Sequence, residues 1–281
     1  MRQIHAEDIS ATVARLCQEA NYELGEAELA AFRSAANREQ SVLGKRVLLQ
    51  ILENAEVARQ QRLPLCQDTG FTVVFLEVGQ DLQIVGGHLY DAINEGVRLG
   101  YTEGFLRKSM VDKPLTARKN TGDNTPAIIH TEIVPGDRLK IIVAPKGAGS
   151  ENVTRLGMLK PADGLVGFKK FVFSAVKEAG PNACPPFIVG VGVGGTAEKA
   201  VLLAKKAIVR PLGQKNPDPE IAALEDELLD LVNKSGVGPL GFGGLVTALA
   251  VHIETFPTHI ASLPVAVNLQ CHSARHKEAI L

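Results

Sequence analysis

Three of the four cysteines sit at the ends of apolar runs: Cys66 and Cys184 just before one, Cys271 just after one. Long stretches of chain separate them, so no pair forms a local CxxC clip, and a zinc ribbon or thioredoxin motif is excluded. Whatever they do together must be assembled by the tertiary fold, at strand ends. The densest chemistry surrounds the first, in Leu63-Pro64-Leu65-Cys66-Gln67-Asp68-Thr69-Gly70, where a soft metal ligand, an amide and a titratable acid are adjacent. Three thiolates meeting at one point suit zinc or an iron–sulfur cluster. On spacing alone, unrelated buried thiols compete with that reading. Cys17 shares a helical apolar stripe with Ile9, Val13 and Leu16 and reads as a structural core thiol.

The rest of the composition narrows the function class. The chain has 281 residues, enough to bury a sizeable core, with 45% hydrophobic and 22% charged residues and a formal net charge of −1. No bulk field attracts nucleic acid or an anionic membrane, and with aromatics at 5% and basic residues dispersed, a nucleic-acid surface is not expected. The first residues carry no apolar segment of a secretory signal, and no window nears the roughly 18 apolar residues of a membrane span. The expected location is cytoplasmic.

Along the chain, the first sixty residues read as helices: one through Cys17 capped by Asp8 or Ser10, one over 26–38, and one that Ser41 caps and that carries Val42, Val47, Leu48, Ile51 and Leu52. Residues 72–78 form a β-branched strand and 88–99 a helix. A polar stretch over 101–125 is too long for a simple linker and reads as a functional loop, with a solvated surface excursion as the alternative. Alternating residues over 127–134 and 138–145 around Pro135-Gly136-Asp137 predict an antiparallel hairpin. The small-residue loop 146–152 suits either backbone binding of an anion or a tight turn. Helices over 167–180, 196–209 and 217–234 alternate with a strand over 187–193, and a glycine-rich stretch over 236–244 precedes apolar runs over 245–254 and 260–269. No internal sequence repeat is visible. The expected fold class is mixed α/β (α+β): a helical N-terminal layer (1–62) on a mixed, largely antiparallel sheet within a cluster-bearing core (63–281), all one domain.

Gly190-Val191-Gly192-Val193-Gly194-Gly195 matches the dinucleotide fingerprint G-x-G-x-x-G between a strand and a helix. No second strand brings an acid about 20 residues further on, where Arg210-Pro211-Leu212-Gly213-Gln214 is a helix stop. These glycines read as a device for close strand–helix packing near a cofactor.

Cys66-Gln67-Asp68-Thr69-Gly70, Asn182-Ala183-Cys184-Pro185-Pro186 and Gln270-Cys271-His272, together with residues 106–110, 118–124, 147–152 and 257–264, resemble the iron–sulfur hydro-lyases of the class I fumarase and tartrate dehydratase family. The likeness covers nearly the whole chain and matches the family's α region. It implies a [4Fe–4S] cluster on Cys66, Cys184 and Cys271, with an open iron acting as Lewis acid in the interconversion of (S)-malate and fumarate. It makes Asp68 the proton-handling group, paired with His259, and gives Gln67, Arg107 and Gly149 to the substrate, with Arg107 forking onto a carboxylate. The Arg107 loop and residues 147–152 look closer to the fumarase branch than to L-tartrate dehydratase α chains. Further substrate-binding residues and the carbon base lie in a following domain in fused members, and this sequence stops ten residues after Cys271. The expectation is therefore an α subunit completed by a β subunit, with an α dimer inside an α2β2 assembly. A zinc-stabilised structural or regulatory protein and a nicotinamide oxidoreductase stand as alternatives.

Overall fold

The computed structural model describes residues 2–281. It opens with β1 (Arg2–His5), α1 (Ala6–Tyr22), α2 (Glu26–Arg38) and α3 (Val42–Gln61), followed by β2 (Phe71–Gly79), β3 (Leu82–Val85) and α4 (Leu89–Glu103). Next come β4 (Ile128–Val134), β5 (Leu139–Lys146), α5 (Ala148–Glu151), β6 (Arg155–Leu159) and α6 (Gly164–Ala179). The remainder is β7 (Phe187–Gly194), α7 (Ala197–Ala207), α8 (Pro219–Asn233), β8 (Ala248–Phe256), β9 (Leu263–Gln270) and β10 (Lys277–Ile280). The mixed α/β class holds. The N-terminal helices pack with mixed sheets, as expected. Contacts divide the chain into one compact unit of Met1–Leu24, Ala55–Ala148 and Arg275–Leu281, and another of Gly25–Asn54 and Gly149–Ala274. The division thus assigns α1 to the first unit and α2 to the second.

In the first unit the sheet order is β10-β5-β2-β4, and β1 and β3 form a separate two-stranded parallel sheet. The central strand β2 is bracketed on both edges, by β5 antiparallel (Phe71↔Lys146 to Val78↔Leu139) and by β4 parallel (Val73↔Ile128 to Gly79↔Val134). Strands β4 and β5 therefore do not pair as the predicted hairpin. Their antiparallel sense is right, but β2 lies between them. The turn at Pro135-Gly136-Asp137 crosses the end of β2, where Gly79 N–H and Asp81 N–H donate to Arg138 O and Gly136 O. A Cβ on Gly79 would stand 2.5 Å from Gly136 O, so the crossing requires glycine there. Helices α1 and α4 bring Val13, Leu16, Cys17, Ile93, Val97 and Tyr101 onto Val74, Leu76, Ile141 and Val143. β-branched residues at alternate positions and an apolar helical stripe meet here in one core.

The second unit follows the same plan. Its order is β6-β9-β7-β8, with β7 bracketed by β9 antiparallel and β8 parallel. Each unit runs from a central strand through a helical crossover to a parallel edge strand, then back to an antiparallel strand on the far side. The repetition is one of topology, invisible in the sequence. Helices α6 and α8 cover one face of β7 with Phe168, Val172, Val176, Leu228 and Val232. On the other face a Cβ at Gly190 or Gly192 would come within 2.2 and 2.0 Å of Ala204 O and Ala200 O. The fingerprint glycines are thus explained by the approach of α7 to β7, as the sequence reading expected.

Helix starts divide between hits and misses. Ser41 caps α3, its Oγ accepting from Gly44 N–H at 3.1 Å. Helix α1 instead begins at Ala6 without a side-chain cap, while Ser10 donates to Ala6 O and Ala92 O. Strands β1, β3, β6 and β10 have no counterpart in the sequence reading. All are four or five residues long, and Ile4 is the one buried residue in them.

Between α2 and α3, the buried Glu39 carboxylate accepts from the backbone N–H groups of Gln40, Ser41, Leu245 and Val246, at 2.9–3.0 Å. Burial alone would raise its pKa, but these four donors hold it below the usual carboxylate range. A depressed folded-state pKa means the stabilisation is complete above the ordinary glutamate value of about 4.3 and is lost as pH falls through the lower, folded-state value. Glu39→Gln should therefore lower stability by about 2 kcal/mol at pH 7, and urea titrations should show the gap closing in acid. A gap that stayed constant down to pH 3 would contradict this account.

Candidate active site

In the first unit, the proposed site residues gather at the N-terminal end of β2. The turn carrying Cys66, Gln67 and Asp68 is held by buried groups from four directions. Leu65 N–H donates to Asn21 O at 2.8 Å. The Tyr101 hydroxyl donates to Thr69 O at 2.8 Å and lies 3.2 Å from Gly70 O. Asn124 Nδ2 donates to Gly70 O at 3.2 Å, and the Arg275 guanidinium donates to Asp68 O. Each of these anchors is almost wholly buried, so the bonds form without competition from water.

The Asp68 side chain is fixed as well. Oδ1 accepts from Gly70 N–H at 3.0 Å and Oδ2 from Ala148 N–H at 2.9 Å. The small-residue loop thus turns a backbone donor onto the acid, which answers the choice between tight turn and anion binding for its first half. Arg107 is joined to the same turn through its carbonyl, which accepts from Thr69 Oγ1 at 2.9 Å, while its side chain stays exposed. The polar stretch behind it is an ordered excursion. Asn124 Oδ1 accepts from Ser109 N–H at 2.7 Å, Asn120 Nδ2 donates to Lys108 O at 3.0 Å, and Val111 bridges Asn120. Burial would raise the Asp123 pKa, but donors from Thr125 and Thr121 bring it down.

In the second unit, Cys184 and Cys271 lie at the matching end of β7. Cys184 has left-handed backbone (φ 54°), and its carbonyl accepts from His272 N–H at 3.1 Å, which joins the ends of β7 and β9. Gly149 abuts the same segment, since a Cβ there would stand 2.9 Å from Asn182 O. Behind it, Glu151 pairs with Lys205 of α7 and accepts from Asn268 Nδ2 at 3.0 Å. His259 lies elsewhere, in the turn between β8 and β9, where its Nδ1 accepts from Ala261 N–H at 3.1 Å. It precedes β9 and Cys271 follows it. Seven residue steps put the two ends of that strand, Leu263 and Gln270, about 23 Å apart.

No disulfide forms, and the thiols differ in environment. Cys17 is fully buried, Cys66 and Cys271 are partly exposed, and Cys184 is exposed. Cys66 belongs to the first unit and the other two to the second. Among the described residues, no three His, Cys, Asp or Glu side chains are gathered closely enough to hold a metal ion. The donor chemistry nonetheless fits an iron–sulfur group: three thiols at strand ends, none in a disulfide and all reachable from solvent. Two residues past Cys271, the buried Ser273 hydroxyl makes no hydrogen bond among the described residues, leaving a donor available to a bound group.

A family model described as Fumarate hydratase (Fumerase) matches residues 10–280. The chain belongs to that family, the class I fumarase-type iron–sulfur hydro-lyases, as an α subunit. Among its relatives is a Methanocaldococcus jannaschii protein, provisionally named L(+)-tartrate dehydratase subunit alpha. It is 43% identical over 274 residues, covering 95% of each chain. The L(+)-tartrate dehydratase subunit alpha of Escherichia coli K12 is 34% identical, over 84% of this chain and 78% of its own. That of Shigella sonnei matches to the same extent. Among the described residues of this hydro-lyase subunit, no helix is long and apolar enough to cross a membrane.

Sequence reasoning singled out Cys66, Gln67, Asp68 and Arg107, which the first unit brings together, and Gly149, Cys184 and Cys271, which the second does. It missed Asn21, Tyr101, Asn124 and Arg275, which hold the turn through backbone carbonyls. Contacts of that kind leave no sequence pattern, although Arg275 closes the stretch Gln270-Cys271-His272-Ser273-Ala274-Arg275.

The thiols offer a direct test. Burial pushes Cys17 up to about 12, despite a hydrogen bond with Thr72, whereas the nucleophile is the thiolate. In the metal-free folded chain at pH 8, iodoacetamide should modify Cys66, Cys184 and Cys271 and spare Cys17 until denaturant is added. Peptide mass spectrometry checks this, and Cys17 alkylating alongside the others would show that α1 opens freely.

Proposed function

We propose that the chain is the α subunit of an L(+)-tartrate dehydratase, removing water from the hydroxy-dicarboxylate to leave an enol that tautomerises to a keto acid. The observation that carries this is the 43% identity, over 95% of both chains, to a relative bearing that subunit's name. The sequence expectation favoured malate and fumarate, but the relatives' names support its alternative better. Malate–fumarate chemistry remains the second reading because the matching family model is described as fumarate hydratase.

In this reading Cys66, Cys184 and Cys271 hold a [4Fe–4S] cluster. When bound, such a cluster supplies Lewis acidity at an iron that lacks a protein ligand. The chain's own residues do the rest. Asp68, its two oxygens fixed by the N–H groups of Gly70 and Ala148, is poised to handle the proton of the departing hydroxyl. Arg107 offers a planar fork to a substrate carboxylate, Gln67 an amide, and Gly149 a backbone face with no side chain. The relatives' names as α subunits imply a β subunit, and in this reading that subunit brings the carbon base and further cationic groups. Coexpressed with that subunit under anaerobic conditions, the chain should bind iron and sulfide, lose both in Cys66→Ser, and turn over L(+)-tartrate. The α chain alone should be inactive. A strong preference for malate would overturn the substrate assignment, and a colourless zinc protein would overturn the cluster.

His259 serves the site of a second α chain in this scheme. The support is its separation from Cys271, about the full length of β9, which leaves it out of reach of a cluster on Cys184 and Cys271 of its own chain. Pairing with Asp68 then takes place across an α dimer. Complexes carrying Asp68→Asn and His259→Asn, each inactive alone, should regain turnover after subunit exchange, because some hybrids hold one intact site. Absence of any recovery in verified hybrids would sink the idea.

A further inference from the structure

We infer that Arg275 is a positioning residue for Asp68: the buried guanidinium fixes the Asp68 peptide, so that the carboxylate is presented in a single orientation. The inference rests on Asp68 being the proton-handling group and adds the group that aims it.

Arg275 is 2% exposed. Its Nη1 donates to the backbone carbonyl of Asp68 and, at 3.3 Å, to Asn21 Oδ1. Asn21 is wholly buried on α1, and its own carbonyl accepts from Leu65 N–H. The two residues therefore hold the turn on either side of Cys66 and Gln67. Gly147 lies between the guanidinium and the acid, since a Cβ there would stand 3.2 Å from both Arg275 Nη2 and Asp68 Oδ2. Its neighbour Ala148 supplies the N–H that Oδ2 accepts. A peptide rotation at Asp68 would swing the carboxylate away from both of its backbone donors, and the bond from Arg275 opposes that rotation. A buried arginine is suited to the task because its charge never titrates and its donors are fixed in a plane. Loss of aim rather than loss of binding is the expected defect, and misplacement by about 1 Å is worth on the order of a hundredfold in rate.

Sequence adjacency adds a second role. Cys271 and Arg275 are separated by one turn, closed by Ala274 N–H donating to Cys271 O at 2.9 Å. The segment that carries a proposed cluster ligand thus carries the residue that aims the acid.

The test uses the αβ complex, with Arg275→Ala and Arg275→Lys. Arg275→Ala should lose about a hundredfold in kcat with KM within twofold of wild type, unchanged iron content and visible spectrum, and partial recovery in added guanidinium. Deuterium exchange of the isolated α chain should quicken at the Gly70 and Ala148 amides while the β2 and β7 amides stay protected. Arg275→Lys, which keeps the charge and a donor, should retain more kcat and serves if the alanine variant does not fold. Exchange that quickens everywhere, or a rise in KM with kcat intact, would reduce Arg275 to a structural tie and overturn the inference. Asp68→Asn separates the two readings. If it keeps full kcat, the role of Asp68 itself fails. If it is inactive while Arg275→Ala is not, only the positioning role fails.

Discussion

A strand that is hydrogen-bonded along both edges and covered by helices cannot slip in register, and the fold of this chain depends on two such strands. β2 lies between β5 and β4, and β7 between β9 and β8, each with an antiparallel neighbour on one side and a parallel one on the other. A one-residue slip of either would turn its buried face outward and break two ladders at once. With the strand locked, its N-terminal end becomes a fixed point. The proposed chemistry uses that end in both units: Cys66 to Gly70 ahead of β2, Cys184 ahead of β7.

The two units spend that rigidity differently. Ahead of β2 the chain makes a turn whose carbonyls are taken up by buried donors, so the Asp68 side chain that follows Cys66 is held in one orientation. Ahead of β7 the backbone enters a left-handed conformation at Cys184 and is tied to the end of β9 through His272. One end carries an aimed carboxylate, the other a pair of thiols. In the position where the second unit places Cys271, just past its returning strand, the first unit has Gly147, whose missing side chain lets Ala148 N–H reach Asp68.

How much of this was legible depended on whether the information was local. The long helices, the strands over 72–78 and 187–193, and the Ser41 cap follow from periodicity and side-chain chemistry, and all were readable. The pairing of residues 127–134 with 138–145 was not, because a short turn between alternating runs looks the same whether or not a third strand fills the gap. The one hint was Gly79 at the far end of β2. Cys66 and Asp68 could be singled out as adjacent reactive types. The residues that hold them could not, since Tyr101 and Arg275 act on backbone carbonyls and come from distant parts of the chain. His259 was recognisable as a histidine worth noting, but its distance from Cys271 became visible only when β9 acquired a direction.

The first unit is assembled from three separated stretches, the last being residues 275–281. That stretch brings β10, the edge strand on β5, and with it Arg275. On a ribosome the helices α1 and α4 and the strands β2, β4 and β5 emerge early and can collapse around their apolar core, whereas the whole second unit must be synthesised before the edge strand arrives. At about 5–20 residues per second, the turn carrying Cys66 and Asp68 waits for seconds in a half-secured form. It is secured only once residues 275–281 have emerged, so the scaffold of the first unit and the tie that Arg275 makes to the Asp68 carbonyl are formed at separate times.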